Sequence, residues 1–284
     1  MFGNWAKTAF LLTAMAALFM IVGYLLGGPG GMAIAFIIAI VMNFVSYFFS
    51  DKIVVKSYGA KPLSESEAPR LHAIVAELSA AAGIPKPPLY MMQQSAPNAF
   101  ATGRNPRHAL VCVTSGLVEL LNEEEVKGVI AHEIGHIVNR DILLQTIVAS
   151  FASAIMFLAQ MARWTAMMGG GRDREGRGGG INLIAMLVAV ILAPIAAMLI
   201  QMAISRSREY GADATGAKLA GTPDGLANAL RKLFAASKRV PLNAGPATAH
   251  MFIVKPLTGD ALMNLFSTHP PLERRIERLL GRTE

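Results

Sequence analysis

The most regular pattern along the chain is where charge is missing. Residues 8–50 carry no charged side chain, and Gly27, Gly28, Pro29, Gly30 and Gly31 divide them into two apolar runs. Each run has about the 20 residues that a bilayer-spanning helix needs, and the Gly-Pro-Gly break is a turn signal, so the pattern predicts a transmembrane hairpin. Two further uncharged stretches, 142–162 and 178–205, bring the candidate spans to four. Gln145 and Gln160 in the third are expected to face other helices, and Pro194 predicts a kink in the fourth. A cleavable signal peptide is the competing reading of the first run. Lys7 alone makes a poor basic n-region and no A-x-A-like site precedes a mature start, so a retained anchor is favoured.

Between the spans the periodicity changes. In SESEAPRLHAIVAELSAAAGI, Leu71, Ile74, Val75 and Leu78 fall at helical spacing and Gly83 supplies a stop. PPLYMMQQ and HALVCVTSG read as short strands around the turn-rich SAPNAFATGRNPR, which predicts a small sheet. Residues 206–284 read as mostly helical. The expected fold class is therefore a mainly α integral membrane protein with about four transmembrane helices and a small β-sheet. Its parts are an N-terminal hairpin (1–50), a first polar part (51–141), a second hairpin (142–205) with a glycine-rich loop at 163–180, and a second polar part (206–284).

Composition agrees: with 53% hydrophobic residues, 16% charged and mean hydropathy +0.44, the chain is too apolar for an ordinary soluble domain. Of its 26 Lys and Arg, all but four lie in residues 1–7, 51–141 and 206–284, which an even number of spans puts on one side. The positive-inside rule makes that side cytoplasmic. The net charge of +7 and pI near 9.7 then serve topology and anionic headgroups, and no nucleic-acid-binding motif is present. Cys112 stands alone in an apolar run, so no disulfide framework exists; a small buried strand residue is preferred to a catalytic thiol.

The chemistry concentrates in VIAHEIGHIV, residues 129–138. Asn122 and Glu125 form a capping box, so a helix starts there, and no breaker stops it before the third span. His132 and His136 then share a face one turn of about 5.4 Å apart, close enough for both imidazoles to ligate one ion. Glu133, one position round, reaches a water beside the ion without being a ligand. This HExxH spacing is that of metal-assisted peptide hydrolysis, although two histidines with local hydrogen bonds remain the bland alternative. Gly135 inside the helix costs about 1 kcal/mol relative to Ala and is easier to explain if another element approaches closely. RSREYGAD, residues 206–213, offers a third ligand in Glu209, with Asp213 on the same face to accept an imidazole N–H. The alternative is an acidic face paired with Arg206 and Arg208. His136 lies six residues before the third span and Glu209 four beyond Ser205, so both emerge at similar height if those spans pack as a hairpin.

Taken in order, PNAFATG, AHEIGH, EYGAD and STHPPLERRI, set among two hydrophobic pairs, resemble the HtpX-type membrane zinc metalloproteases, relatives of the prenyl-protein endopeptidases that process CAAX proteins. The resemblance implies a cytoplasmic zincin-like (gluzincin) protease domain with one zinc per chain. On it, His132, His136 and Glu209 ligate the zinc, Glu133 is the general base and Asp213 orients an imidazole. It implies cleavage of damaged or misassembled membrane proteins at the cytoplasmic face of the bacterial inner membrane, in the stress response, with protein substrates and the lipid bilayer as partners. Asn98, Ala99 and Phe100 look like the edge strand that holds an extended substrate; without the family, PNAFATG reads as a turn. His269 is similar to a histidine that stabilises the oxyanion, and the HPxxxxR spacing points to Arg275 rather than Arg274 as a structural or substrate-carboxylate partner. Prenyl-protein processing and a non-catalytic zinc-binding adaptor are the alternatives, and the adaptor has no use for Glu133. Cobalt or manganese would fit the same donors. His72, His108 and His250 have no ligand-spaced partner, and the 16 methionines are scattered through apolar runs.

Overall fold

The computed structural model describes residues 2–145, 147, 206–237 and 270–281. Most of the third and fourth apolar stretches, the glycine-rich loop, His250 and His269 lie outside the described residues.

The first helical stretch, α1 (Phe2–Ser57), doubles back on itself. Gly28 takes φ +62°, and a Cβ on Gly23 would stand 2.5 Å from the Gly31 carbonyl oxygen. Asn43 Nδ2 donates to Leu12 O at 3.3 Å, two positions that a straight helix would hold about 45 Å apart. The hairpin predicted from the glycine break is therefore formed, turning at Gly28. Among the described residues one segment, Gly28–Phe49, is long and apolar enough to cross a membrane; Leu12–Ile21 is a shorter apolar helix.

A four-stranded sheet follows, built from β1 (Lys61–Pro62), β2 (Leu89–Met92), β3 (Ala99–Asn105) and β4 (His108–Thr114) in the order β1-β2-β4-β3. β2 runs parallel to β4, and the other two pairs are antiparallel. β3, read as a turn when the residues are taken without the family, is thus an edge strand. Between β1 and β2 lies α2 (Pro69–Ala82), with Leu71, Ile74, Val75 and Leu78 buried and Gly83 capping its end at φ +65°. After β4 come α3 (Ser115–Leu120), α4 (Glu123–Val138), α5 (Arg206–Ala220), α6 (Asp224–Ser237) and α7 (Leu272–Leu279). One apolar core joins α2, one sheet face, α4 and α6. On the other sheet face, Phe100, Met92, Leu110 and Cys112 pack on Val54 and Tyr58 at the end of α1, which fastens the hairpin to the sheet. Cys112 is fully buried there, and burial pushes its thiol up to about 12, as suits a packing residue.

α4 starts as its capping box requires: Asn122 Oδ1 accepts from Glu125 N and Glu125 Oε2 from Asn122 N, both at 2.9 Å. Lys232 of α6 adds a bond to the same Glu125 oxygen at 2.8 Å. The expectation that α4 runs unbroken into the third span is corrected. Asn139 caps it, Arg140 turns to φ +62°, and helical residues resume only at 142. The physical reason is local: Asn139 N closes on Gly135 O, and the left-handed Arg140 swings Asp141 back to the last turn, where its amide donates to His136 O at 3.0 Å.

Backbone contact sets how closely the helices pack on α4. A Cβ on Gly135 would meet Ala212 O at 2.8 Å, and one on Gly216 would meet His132 N at 2.8 Å and His132 Cα at 2.9 Å. Gly128 meets the α6 backbone at Leu226 in the same way, and Gly225 meets Glu124. The helical cost of Gly135 is thus exchanged for contact with α5. Gly216→Ala is expected to destabilise the protein by about 1–3 kcal/mol in denaturant unfolding, because the groups in the way are main chain and cannot rotate aside. A neutral or stabilising result, as helix propensity alone would give, would contradict this packing.

Candidate metal centre

His132 and His136 face α5 from the middle and last turn of α4, their rings 4.7 Å apart and nearly perpendicular. Because Gly135, Ala212 and Gly216 let the backbones touch, Glu209 of α5 is carried between them. Its carboxylate lies 3.9 Å from His132 Nε2 and 3.5 Å from His136 Nε2. One ligand atom from each of the three falls within 4.8 Å of the others, and all three side chains are buried.

The outward ring nitrogens are held by carboxylates. His132 Nδ1 stands 2.9 Å from Asp213 Oδ1, at ion-pair distance though off the line of a well-formed hydrogen bond. His136 Nδ1 stands 3.2 Å from Asp141 Oδ2. Each acid points the opposite nitrogen at Glu209, which is how buried imidazoles are oriented towards a cation. Two Nε2 atoms and a carboxylate converging in a buried space would suit a divalent metal ion.

Asp213 is in turn gripped by Arg275 of α7: Nε donates to Oδ2 at 2.9 Å and Nη2 to Oδ1 at 2.7 Å. Arg275 Nη1 also lies 3.5 Å from Glu209 Oε2. Burial works to raise Asp213, but Arg275 and His132 outweigh it and hold the carboxyl below the ordinary range. For Arg275, burial works against the charge, while Asp213, Glu209 and Glu133 raise its pKa further. It is Arg275, not the exposed Arg274, that enters the site, in keeping with the HPxxxxR spacing. Arg208 is buried nearby, with burial drawing its pKa down against the attraction of Asp141 and Glu209.

Glu133 lies on α4 beneath the edge strand, where its Oε2 accepts the Ala101 amide at 2.7 Å. Burial raises its pKa, offset only in part by His132, His136 and that amide. Thr114 N donates to Asn98 O at 2.9 Å and Asn98 N to Thr114 Oγ1 at 2.8 Å, so Asn98 is tied to β4. By alternation the Ala99 and Ala101 amides turn towards the open edge. Phe100 is directed to the other sheet face, where its ring packs against Tyr58.

The structure thus brings together His132, Glu133, His136, Glu209, Asp213 and Arg275, with β3 alongside. Asp141 was not singled out in the sequence. It lies five residues beyond His136 and reaches back only because Arg140 is left-handed, a conformation that no local pattern announces.

The fold and this site define a membrane metalloprotease of the HExxH type. A model of "Peptidase family M48" matches residues 65–283, and the chain belongs to that family. It is 58% identical over 281 residues to a "Protease HtpX homolog" of Desulfatibacillum aliphaticivorans, covering 98% of this chain and 90% of the relative. To the homologue of the same name from Pyrococcus furiosus it is 56% identical over 279 residues, covering 98% and 95%. A crystal structure of S. mikatae Ste24p shares the fold at TM-score 0.51 and 21% identity, over 98% of this chain and 67% of that one.

Burial opposes the charge on His136, but Asp141, Glu209 and Glu133 prevail and push its pKa up to about 9. A protonated imidazole cannot ligate, so metal affinity is expected to rise with pH up to about 9 and to fall as pH drops below it. Calorimetry in buffers of different ionisation enthalpy should find a proton released per ion taken up near pH 7. No buffer dependence would refute the charged His136. Asp141→Asn is expected to weaken metal retention by about 10–100-fold in competition with a chelator; unchanged retention would deny Asp141 its orienting part.

Proposed function

We propose that the chain is a zinc endopeptidase that cleaves misfolded or damaged membrane proteins beside the cytoplasmic face of the inner membrane, as proteolytic quality control under stress. The observation that carries the proposal is the meeting of two imidazoles from one helix with Glu209 from another, with Glu133 adjacent. His132, His136 and Glu209 hold the zinc, and Asp213 and Asp141 keep the two imidazoles turned towards it. When bound, the ion polarises the scissile carbonyl and makes a water acidic enough to be used at neutral pH.

Glu133 takes the proton of the attacking water and passes it to the leaving amine. Its raised pKa, caused first by burial, suits a group that must both accept and return a proton. The Ala101 amide fixes the direction of that carboxylate. Arg275 balances the charge that Asp213 and Glu209 bring into the buried site. An extended substrate adds along the open edge of β3, held by the Ala99 backbone and the Asn98 amide, while Phe100 keeps the strand in place by packing. His269, outside the described residues, donates to the oxyanion, a contribution of about 3–4 kcal/mol. With four spans, the segments that carry most Lys and Arg fall on one side, which supports a protease domain in the cytoplasm.

The test is full-length protein purified without chelators, wild type against Glu133→Gln, assayed for zinc and for cleavage of casein and of an unfolded membrane protein. Both should retain about one zinc, and kcat of the variant should fall by at least about 10²-fold. Equal cleavage by the two forms would overturn the mechanism, and absence of zinc from both would overturn the ligand set.

A further inference from the structure

Where α1 meets the sheet, a cavity of about 250 Å³ opens at the end of the Gly28–Phe49 segment. Its apolar wall is Phe44, Tyr47 and Phe48, and its polar rim is Lys52, Arg104 and His108, with Asp51 the one carboxylate among the lining residues. The cations are arranged on aromatic faces. The Arg104 guanidinium lies 5.0 Å from the Phe48 ring centroid and Nη1 donates to Phe48 O at 3.3 Å; Lys52 Nζ lies 5.5 Å over Phe49. Phe44, Phe48 and Phe49 remain between 41% and 57% exposed, which an aqueous surface would not favour.

The position decides what suits this cavity. Residues 8–50 are uncharged and Asp51 and Lys52 are the first charges after them, so the rim falls where an apolar helix leaves hydrocarbon. Aromatic rings and basic groups together at that depth match a lipid: rings for the upper acyl chain and glycerol, cations for the phosphate. We propose that this cavity binds the headgroup phosphate of an anionic phospholipid between Lys52 and Arg104, with the acyl chain against Phe44 and Phe48. The proposal rests on Gly28–Phe49 lying in lipid and not on the peptidase reading.

The site would also connect to the candidate metal centre. Arg104 stands at the bulge between Gly103 and Asn105 on β3, three residues from the Ala101 amide that holds Glu133. Gly103 has φ +138°, and a Cβ there would run into the His108 carbonyl, so the bulge that sets the course of the chain at Arg104 is fixed by glycine. A lipid clamped on Arg104 would fasten the edge strand to the membrane surface.

The experiment reads lipid directly. Full-length protein in nanodiscs of phosphatidylcholine containing phosphatidylglycerol is released into the mass spectrometer, and retained lipid is counted for wild type, Lys52→Gln, Arg104→Gln and the double variant. Wild type should keep phosphatidylglycerol in preference to phosphatidylcholine. Each single variant should weaken that preference about fivefold and the double variant about 25-fold. Lys52 is an exposed side chain on α1, so its variant keeps the test valid should Arg104→Gln fail to fold. Equal retention of the two lipids by wild type, or unaltered preference in Lys52→Gln, overturns the proposal. So does competition of the lipid by millimolar inorganic phosphate, which would mark a site for the free anion.

Discussion

The closeness of α4 to α5 is the constraint on which the rest depends. Imidazoles on one helix and a carboxylate on another can share an ion only if the two helices are held at a fixed separation, and here main-chain contact fixes it. Glycine at 135 and 216, with Ala212 between, allows that approach. The gain appears in the ring geometry: with no side chains separating the helices, the short Glu209 side chain reaches both Nε2 atoms. The second contact, Gly128 of α4 against Leu226 and Gly225 of α6 against Glu124, sets the opposite end of α4, so main-chain contact locates the helix at both ends in addition to its apolar core packing.

Charge in the site is nearly self-contained. Four buried carboxylates, Glu133, Glu209, Asp213 and Asp141, face two imidazoles and the guanidinium of Arg275, with Arg208 close to Asp141 and Glu209. So many acids in one interior are costly unless cations balance them. The same surplus of acid raises the pKa of His136, and a divalent cation held among these groups would balance it instead.

Much of this was legible in the sequence because it is local. The capping box, the shared face of His132 and His136, the apolar stripe of α2 and the turn at Gly28 are set by neighbours a few residues apart, where pattern and structure agree. Gly135 was informative for the opposite reason, as a local cost that makes sense only if something distant approaches. What stayed hidden depends on backbone states that side-chain identity does not announce. Arg140 in the left-handed region ends α4 and delivers Asp141, although arginine has no preference for that state. β3 was obscured because AFATGRN mixes small residues and a bulge where a strand would ordinarily alternate, and only family resemblance marked it as an edge. Arg275 falls in the same class, since nothing near it in the chain points to Asp213.

The site is spread along the chain, from His132 through Asp141, Glu209 and Asp213 to Arg275. A chain still being synthesised holds both histidines and Glu133 long before it holds the carboxylate that completes the donor set or the guanidinium that neutralises it. A chain that has emerged only as far as α4 therefore carries two of the three candidate donors, and the cluster can close only after α5 has followed. The order in which the pieces arrive thus sets the earliest moment at which the three side chains can share an ion.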